Sequence, residues 1–198
     1  IGLTVVGGAP SVAQAVEVTV RVEGQNQTLV PRTTVTVPTV APTPNGSDAC
    51  AGGSVGAALW AATGGNWNGT YYAGFGDYLV TSIAGESYTY PDPNSWETWI
   101  NGKSAYGTCS SPVQPGDDVL MLVTRCEMDS NYICTNPPVL PLELTAPTTA
   151  APGVPVTVSV QRIANDGTKT AASGAAVTAG SDSATTAADG SAAITLNQ

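Results

Sequence analysis

Alternating apolar and polar positions predict a β-hairpin at the start of the chain. In VEVTVRVEG (16–24), valines occupy every second position and polar residues occupy the positions between them. Because successive side chains of a strand point to opposite faces, this pattern is typical of a strand with one buried face. After a turn at 24–27, TTVTV (33–37) provides the returning strand.

One helix is predicted in SVGAALWAAT, after a proline-rich stretch. Ser54 is a favourable N-cap residue, and Val55, Leu59 and Ala62 recur at helical spacing. The two glycines at 64–65 then end the helix.

An aromatic block follows. All twelve aromatic residues lie between Trp60 and Tyr132, and this break in composition predicts a first domain over 16–138. Within it, TYYAGF, YLVTSI, SYTY, SWETWI and VLMLVTRC are candidate strands, and Asn101-Gly102 and Pro115-Gly116 supply turns.

The last segment, 139–198, consists of short alternating apolar runs separated by turn residues. Leucines alternate over 140–144 and valines over 154–160, and further runs surround Val177 and Ile194. The pattern resembles an immunoglobulin-like sandwich of the kind repeated in bacterial surface proteins. The segment is shorter than the roughly 100 residues of such a sandwich, so we expect an incomplete one. The predicted fold class is therefore mainly β.

Charge excludes some partners. The net charge is −9, and the six Lys and Arg residues are scattered singly along the chain. Scattered cations do not predict the basic stripe that phosphate neutralisation requires, so nucleic acid and anionic membrane surfaces are not expected partners.

The first fifteen residues predict export. They are small and mostly apolar, and they end in Ala13-Gln14-Ala15, which fits the small-x-small pattern of a signal peptidase site. We interpret residues 1–15 as a signal peptide remnant that is too short to span a bilayer. The expected location is therefore extracellular, either secreted or at the cell surface.

Export makes disulfides the expected state of the cysteines. The chain has four cysteines and none forms a Cys-x-x-Cys pair. Three pairings are possible. We favour Cys126 with Cys134, which closes a short hairpin loop, and Cys50 with Cys109, which joins the helix start to a sheet loop.

Catalysis is not expected. The chain has no histidine, which removes Ser-His-Asp, Cys-His and His-ligated zinc arrangements. Glu86 and Glu97 could form a glycosidase pair in principle, but their local sequence does not support it. Asp-Gly pairs at 166 and 189 are explained by turn chemistry, and no metal site is predicted.

The stretch SWETWINGKSAYGTCSSPVQPGDDVLML resembles a bacterial domain family related to the C-terminal domain of transcobalamin. The matching residues are Trp96, Asn101, Gly102, Lys103, Gly107, Gly116 and Asp117. With the opening hairpin and the helix, the resemblance covers residues 16–123. It implies an exported α+β domain with a β-grasp-like sheet and one helix. In transcobalamin this domain closes over a corrinoid that a helical barrel holds. This sequence has no such barrel, so corrinoid binding is an alternative to the main functional prediction.

The tryptophan pair suggests a ligand-facing surface. Strand alternation puts Trp96 on one face and Trp99 on the other, beside Glu97 and Asn101. Trp96 is predicted to point inward. Trp99 either packs against the proline-rich loop or the helix, or forms a platform with Tyr106 and one of Tyr71 or Tyr72. The candidate ligand-binding residues are Trp99, Tyr106, Tyr72, Asn101 and Lys103.

The sequence thus predicts a non-catalytic binding or adhesion module of an exported bacterial protein. Its expected partner is a glycan, a small molecule or a surface protein, contacted through an aromatic face. The competing interpretation is purely structural, with both domains acting as spacers that present another part of a longer protein.

Overall fold

The computed structural model describes residues 15–131, 133–136 and 138–196. The interpretation of residues 1–15 as a signal peptide remnant falls almost wholly outside the described residues. The elements are β1 (Glu17–Glu23), β2 (Thr28–Thr36), α1 (Val55–Thr63), β3 (Trp67–Tyr72), β4 (Asp77–Ile83), β5 (Glu86–Ser87), β6 (Asn94–Ile100), β7 (Lys103–Ala105), β8 (Asp118–Arg125), β9 (Leu142–Thr145), β10 (Pro155–Ile163), β11 (Lys169–Ala171), β12 (Ala176–Ala179), β13 (Asp182–Thr185) and β14 (Ser191–Thr195). The chain is mainly β, as predicted. No helix in the described ranges has the length and apolar character needed to cross a membrane.

The main sheet has five strands in the order β2-β1-β8-β6-β7. β1 and β8 are parallel, and every other neighbouring pair is antiparallel. The alternating valines of β1 behave as predicted, since Val18, Val20 and Val22 are all buried. They pack with α1 and with Trp96 in the larger hydrophobic core.

The predicted helix is confirmed with both of its ends. The Ser54 hydroxyl accepts a hydrogen bond from the Ala57 N–H at 3.2 Å. Gly64 adopts the left-handed conformation (φ 62°) that commonly ends a helix. Glycine adopts this conformation easily because it has no Cβ. The buried residues from Val55 to Leu59 direct the first half of α1 into the main core.

A small sheet, β3-β4-β5, completes this core. Trp67 and Tyr78 pack edge to face at 5.5 Å between ring centroids, and Tyr71 contacts Tyr78 at 5.1 Å. The Tyr78 hydroxyl donates a hydrogen bond to the Asp48 carbonyl at 2.6 Å, so the proline-rich segment is held against the small sheet.

The C-terminal segment, β9 to β14, forms a four-stranded sheet and a two-stranded hairpin of β12 and β13. Val158 and Val160 of β10 are buried in a second core with Val177 and Ile194. Because side chains alternate along a strand, Ile163 projects from the opposite face of β10.

Ile163 is where the two parts of the chain meet. It packs with Trp99, Leu120 and Leu122 of the main sheet, and Leu140 covers the edge of this interface cluster. The Ser104 N–H also donates to the Asn165 carbonyl at 3.0 Å. The face of the main sheet that α1 does not cover is therefore partly covered by the C-terminal segment.

Candidate functional site

The candidate site is a cavity of about 370 Å³ beside the small sheet. Four exposed apolar side chains line it, and we call them the aromatic surface: Tyr72, Phe75, Leu79 and Tyr106. Phe75 is 83% exposed and Tyr106 is 96% exposed, so two whole rings face solvent. Exposed apolar groups gathered at one concavity are typical of an interaction site.

Strand register decides which tyrosine belongs to this surface. Tyr71 lies opposite Tyr78 and packs toward the main core, whereas Tyr72 lies opposite Asp77 on the other face. Of the two tyrosines between which the sequence left the choice open, Tyr72 is the exposed one and Tyr71 packs against the core. The tight turn that follows places Phe75 at its tip, with the Phe75 N–H donating to the Tyr72 carbonyl at 2.9 Å.

Asp77 holds the two halves of the aromatic surface together. Its buried carboxylate accepts hydrogen bonds from the backbone N–H groups of Tyr78 (2.7 Å), Thr108 (3.1 Å), Cys109 (2.8 Å) and Ser110 (3.1 Å). The Ser110 hydroxyl donates to it as well. Since the carboxylate belongs to β4 and the donors from Thr108, Cys109 and Ser110 belong to the loop after Tyr106, these bonds position Tyr106 relative to the β3–β4 hairpin.

Gly107 is required by this arrangement. Its φ of 86° lies in the left-handed region that disfavours side chains. A Cβ at this position would also overlap the Asp77 carboxylate and the Ser110 hydroxyl. The glycine therefore lets the loop approach the carboxylate closely enough to donate its N–H groups.

The pKa of Asp77 reflects these contacts. Burial acts to raise the pKa of Asp77, but the hydrogen bonds from Ser110, Cys109 and Tyr78 outweigh it, and the pKa falls below its usual value of 3.8. The carboxylate is therefore charged at neutral pH. Apart from the Tyr78 N–H of its own strand, all of its hydrogen-bond donors belong to the loop, so it acts as a structural anchor for the aromatic surface.

We expect the lowered pKa of Asp77 to make stability depend on pH. Its contribution is fully present above a pH of about 3.8 and is lost as pH falls through the lower folded-state pKa. Asp77→Asn should remove this dependence and cost about 1–3 kcal/mol at neutral pH, since an amide replaces an acceptor-only group. Urea unfolding from neutral pH to about pH 2 measures both effects.

Asp92→Asn is the matched control for this experiment. Asp92 is exposed and accepts one backbone N–H, from Asn94, at 2.8 Å. The stability profile of Asp92→Asn should keep the part of the acid-induced loss that Asp77 contributes, and Asp77→Asn should lack that part. Identical pH profiles for the two variants would contradict the role of Asp77.

Trp99 was predicted to face a ligand, and this prediction is wrong. Its ring has no exposed surface, because Leu120, Leu122 and Ile163 enclose it in the interface cluster. The interpretation of Trp99 as a packed residue was correct in kind, although neither the proline-rich loop nor the helix is its neighbour. Trp96 is buried on the opposite face, as predicted.

The predicted polar ligand residues also lie outside the aromatic surface. The Asn101 amide donates to Asp117 at 2.7 Å and its carbonyl accepts from the Asp118 N–H at 2.9 Å, so the side chain stabilises the turn before β8. Lys103 is exposed and lies beside Gly167 of the C-terminal segment. Of the predicted site residues, the structure brings together Tyr72 and Tyr106.

Both favoured disulfides are present. Cys50 pairs with Cys109, and Cys126 pairs with Cys134. The first bridge is buried and adjoins the loop that carries Tyr106, whereas Cys134 of the second is exposed.

Comparisons of this chain with protein-family models, with curated proteins and with solved structures found no match. The aromatic surface combines exposed rings, a shallow concavity and a loop held by a buried carboxylate and a disulfide. This arrangement is suited to binding.

Proposed function

We propose that this chain is a non-catalytic binding module of an exported bacterial surface protein, and that it recognises a neutral glycan through the aromatic surface. The observation that carries the proposal is the exposure of Phe75 and Tyr106 at one cavity. The main-sheet core already contains Trp67, Tyr78 and Trp96, so these outer rings are not needed to fill it. Rings left in water beside a concavity favour recognition of another molecule.

A sugar ring matches the chemistry of this surface. A pyranose has an apolar C–H face and a rim of hydroxyl groups, and the exposed rings offer flat faces on which it can stack. Within the described residues, the hydroxyls of Tyr72 and Tyr106 form no hydrogen bond, so both are available to sugar hydroxyls. The one ionised residue lining the cavity is Asp77, a carboxylate, which favours a neutral sugar over an acidic one.

We further propose a β-grasp-like fold for the first part of the chain. Three features support this assignment: the strand order β2-β1-β8-β6, the parallel pairing of β1 with β8, and the helix that follows the first hairpin. They also agree with the proposed relationship to the family related to the transcobalamin C-terminal domain. For the C-terminal segment we propose an immunoglobulin-like sandwich that acts as a spacer.

We expect Tyr106→Ala and Phe75→Ala each to weaken binding of a neutral oligosaccharide by roughly tenfold or more, as truncation of an aromatic anchor does in other interfaces. The unfolding temperature should hardly change, because both rings are exposed. An array of neutral and acidic oligosaccharides identifies the best neutral probe, and calorimetric titration then gives the affinity of each variant. Cobalamin is titrated separately as the probe of corrinoid binding.

Tyr90→Ala is the matched control. Tyr90 is 86% exposed and lines a different cavity, so its removal changes surface aromaticity without touching the aromatic surface. Full binding by Tyr90→Ala with weakened binding by Tyr106→Ala supports the proposal. Binding of no array member, or equal losses in the two variants, overturns it and leaves the spacer interpretation.

A further inference from the structure

A second cavity of about 430 Å³ lies between the main sheet and the C-terminal segment. Three of the six cationic residues of the chain line it: Arg21 of β1, Arg32 of β2 and Lys169 of β11. Two carboxylates, Asp118 and Glu143, line it as well. We call this cavity the cationic cleft, because a chain of net charge −9 gathers half of its cations there.

The two arginines are neighbours on one face of the sheet. Val20 pairs with Thr33 and Val22 pairs with Val30, so Arg21 lies opposite the irregular stretch that contains Arg32. Like charges on adjacent strands repel each other, and this costs stability unless an anion compensates. Side-chain alternation directs Arg21 away from the buried valines of β1 and toward the cleft.

The cations retain unused hydrogen-bonding capacity. Each has one acidic contact: Arg32 Nη1 lies 3.1 Å from Asp118, Lys169 Nζ lies 2.6 Å from Glu143, and Arg21 Nε lies 3.4 Å from Glu23. A guanidinium carries five N–H donors in a planar fork. Most N–H donors of both arginines therefore have no acceptor among the described protein residues.

Trp99 lies directly behind the wall of this cleft. It is among the residues that line the cleft, but its ring has no exposed surface, and its buried indole N–H has no hydrogen-bond partner among the described residues. The indole N–H groups of Trp67 and Trp96 are also unpartnered, but neither residue lines the cleft. The open part of the cleft thus presents the guanidinium donors of Arg21 and Arg32, and these favour an acceptor-rich ligand.

We propose that the cationic cleft binds a small molecule carrying an oxyanion group, a carboxylate or a phosphate. Arg21 and Arg32 hold the anion from the main sheet, and Lys169 holds it from the C-terminal segment. Planar guanidinium groups suit both anions because two parallel N–H groups can bind two oxygens. The site is independent of the aromatic surface, whose cavity is lined by no cation.

Titration of the whole chain with citrate and, separately, with inorganic phosphate tests this site. Ionic strength is held constant with sodium chloride, so that general screening is the same in every sample. At least one of the two anions should raise the unfolding temperature in a saturable manner, because a ligand that binds the folded state stabilises it. The stronger of the two identifies the ligand as a carboxylate or a phosphate.

The variant Arg21→Gln/Arg32→Gln should bind the effective anion at least tenfold more weakly, since charge-assisted bonds are lost. Lys169→Gln, in the other part of the chain, should weaken binding as well. Arg125→Gln is the matched control: Arg125 also has one acidic partner, Glu127, but it lies outside the cleft. It should bind the anion with unchanged affinity.

A direct measurement guards against variants that fold poorly. In ¹H–¹⁵N spectra of the unaltered protein, the indole resonance of Trp99 should shift on titration while that of Trp67 stays in place. No saturable response to either anion, or equal weakening in Arg125→Gln and the double arginine variant, overturns the proposal. Neither result bears on glycan binding, which the Tyr106 and Tyr90 variants test separately.

Discussion

Replacing Trp99 with alanine is expected to lower the free energy of unfolding by about 3–5 kcal/mol, the range measured for large buried aromatic residues. The ring has no exposed surface and is enclosed by Leu120, Leu122 and Ile163. Removing it leaves a cavity that side chains on two separate sheets would have to fill. Urea unfolding at neutral pH measures the loss as a lower midpoint.

The same variant separates packing from recognition. Because Trp99 lies outside the aromatic surface, Trp99→Ala should keep its affinity for the neutral oligosaccharide wherever the protein remains folded. Trp99→Phe should be less destabilising, since a smaller void remains. A destabilisation below about 0.5 kcal/mol, the usual range of surface substitutions, would show that the C-terminal segment does not cover this ring.

A double-mutant cycle tests the contact itself. Residues in direct contact show interaction energies of about 0.5–3 kcal/mol, whereas distant residues are additive. Trp99→Ala and Ile163→Ala should therefore be coupled. Trp99→Ala and Ile194→Ala should be additive, because Ile194 is buried in the other core. The Ile194 pair is the control for global loosening of the chain.

The error about Trp99 has a physical cause. Alternation along β6 correctly predicted that Trp96 and Trp99 point to opposite faces, but alternation does not say what covers the second face. The cover comes from Ile163, far along the chain, and long-range docking leaves no periodic signal in a strand. One local signal was present: the run VLMLV (119–123) in β8 is apolar at every position, which is typical of a strand buried on both faces.

Local signals predicted most of the first part of the fold. The valines of β1, the caps of α1 and the Asn101-Gly102 turn each depend on residues close in sequence, and each is confirmed.

The aromatic surface was only half predicted. Tyr72 and Tyr106 were named, but Phe75 and Leu79 were missed, although a phenylalanine between two glycines in a tight turn is a recognisable sign of an exposed ring. The role of Asp77 depends on a loop about thirty residues away, so no local pattern could reveal it.

Removal of the two disulfides should have unequal effects. The Cys50–Cys109 bridge closes a loop of 59 residues and the Cys126–Cys134 bridge a loop of 8. A chain-entropy model assigns roughly 4 kcal/mol to the longer loop and roughly 2.5 kcal/mol to the shorter one. Cys50→Ala/Cys109→Ala should therefore destabilise the protein more than Cys126→Ala/Cys134→Ala in urea unfolding.

The two variants should also differ in glycan binding. Cys109 lies between Thr108 and Ser110, whose N–H groups bind the Asp77 carboxylate, so loss of the buried bridge loosens the loop that carries Tyr106. Calorimetric titration with the neutral oligosaccharide should give a lower affinity for Cys50→Ala/Cys109→Ala, even under conditions where it is fully folded. The Cys126→Ala/Cys134→Ala variant is the control, because neither cysteine lines the cavity of the aromatic surface, and its affinity should equal that of the unaltered protein. Equal affinities in all three proteins would mean that the carboxylate of Asp77 positions the loop without help from the disulfide.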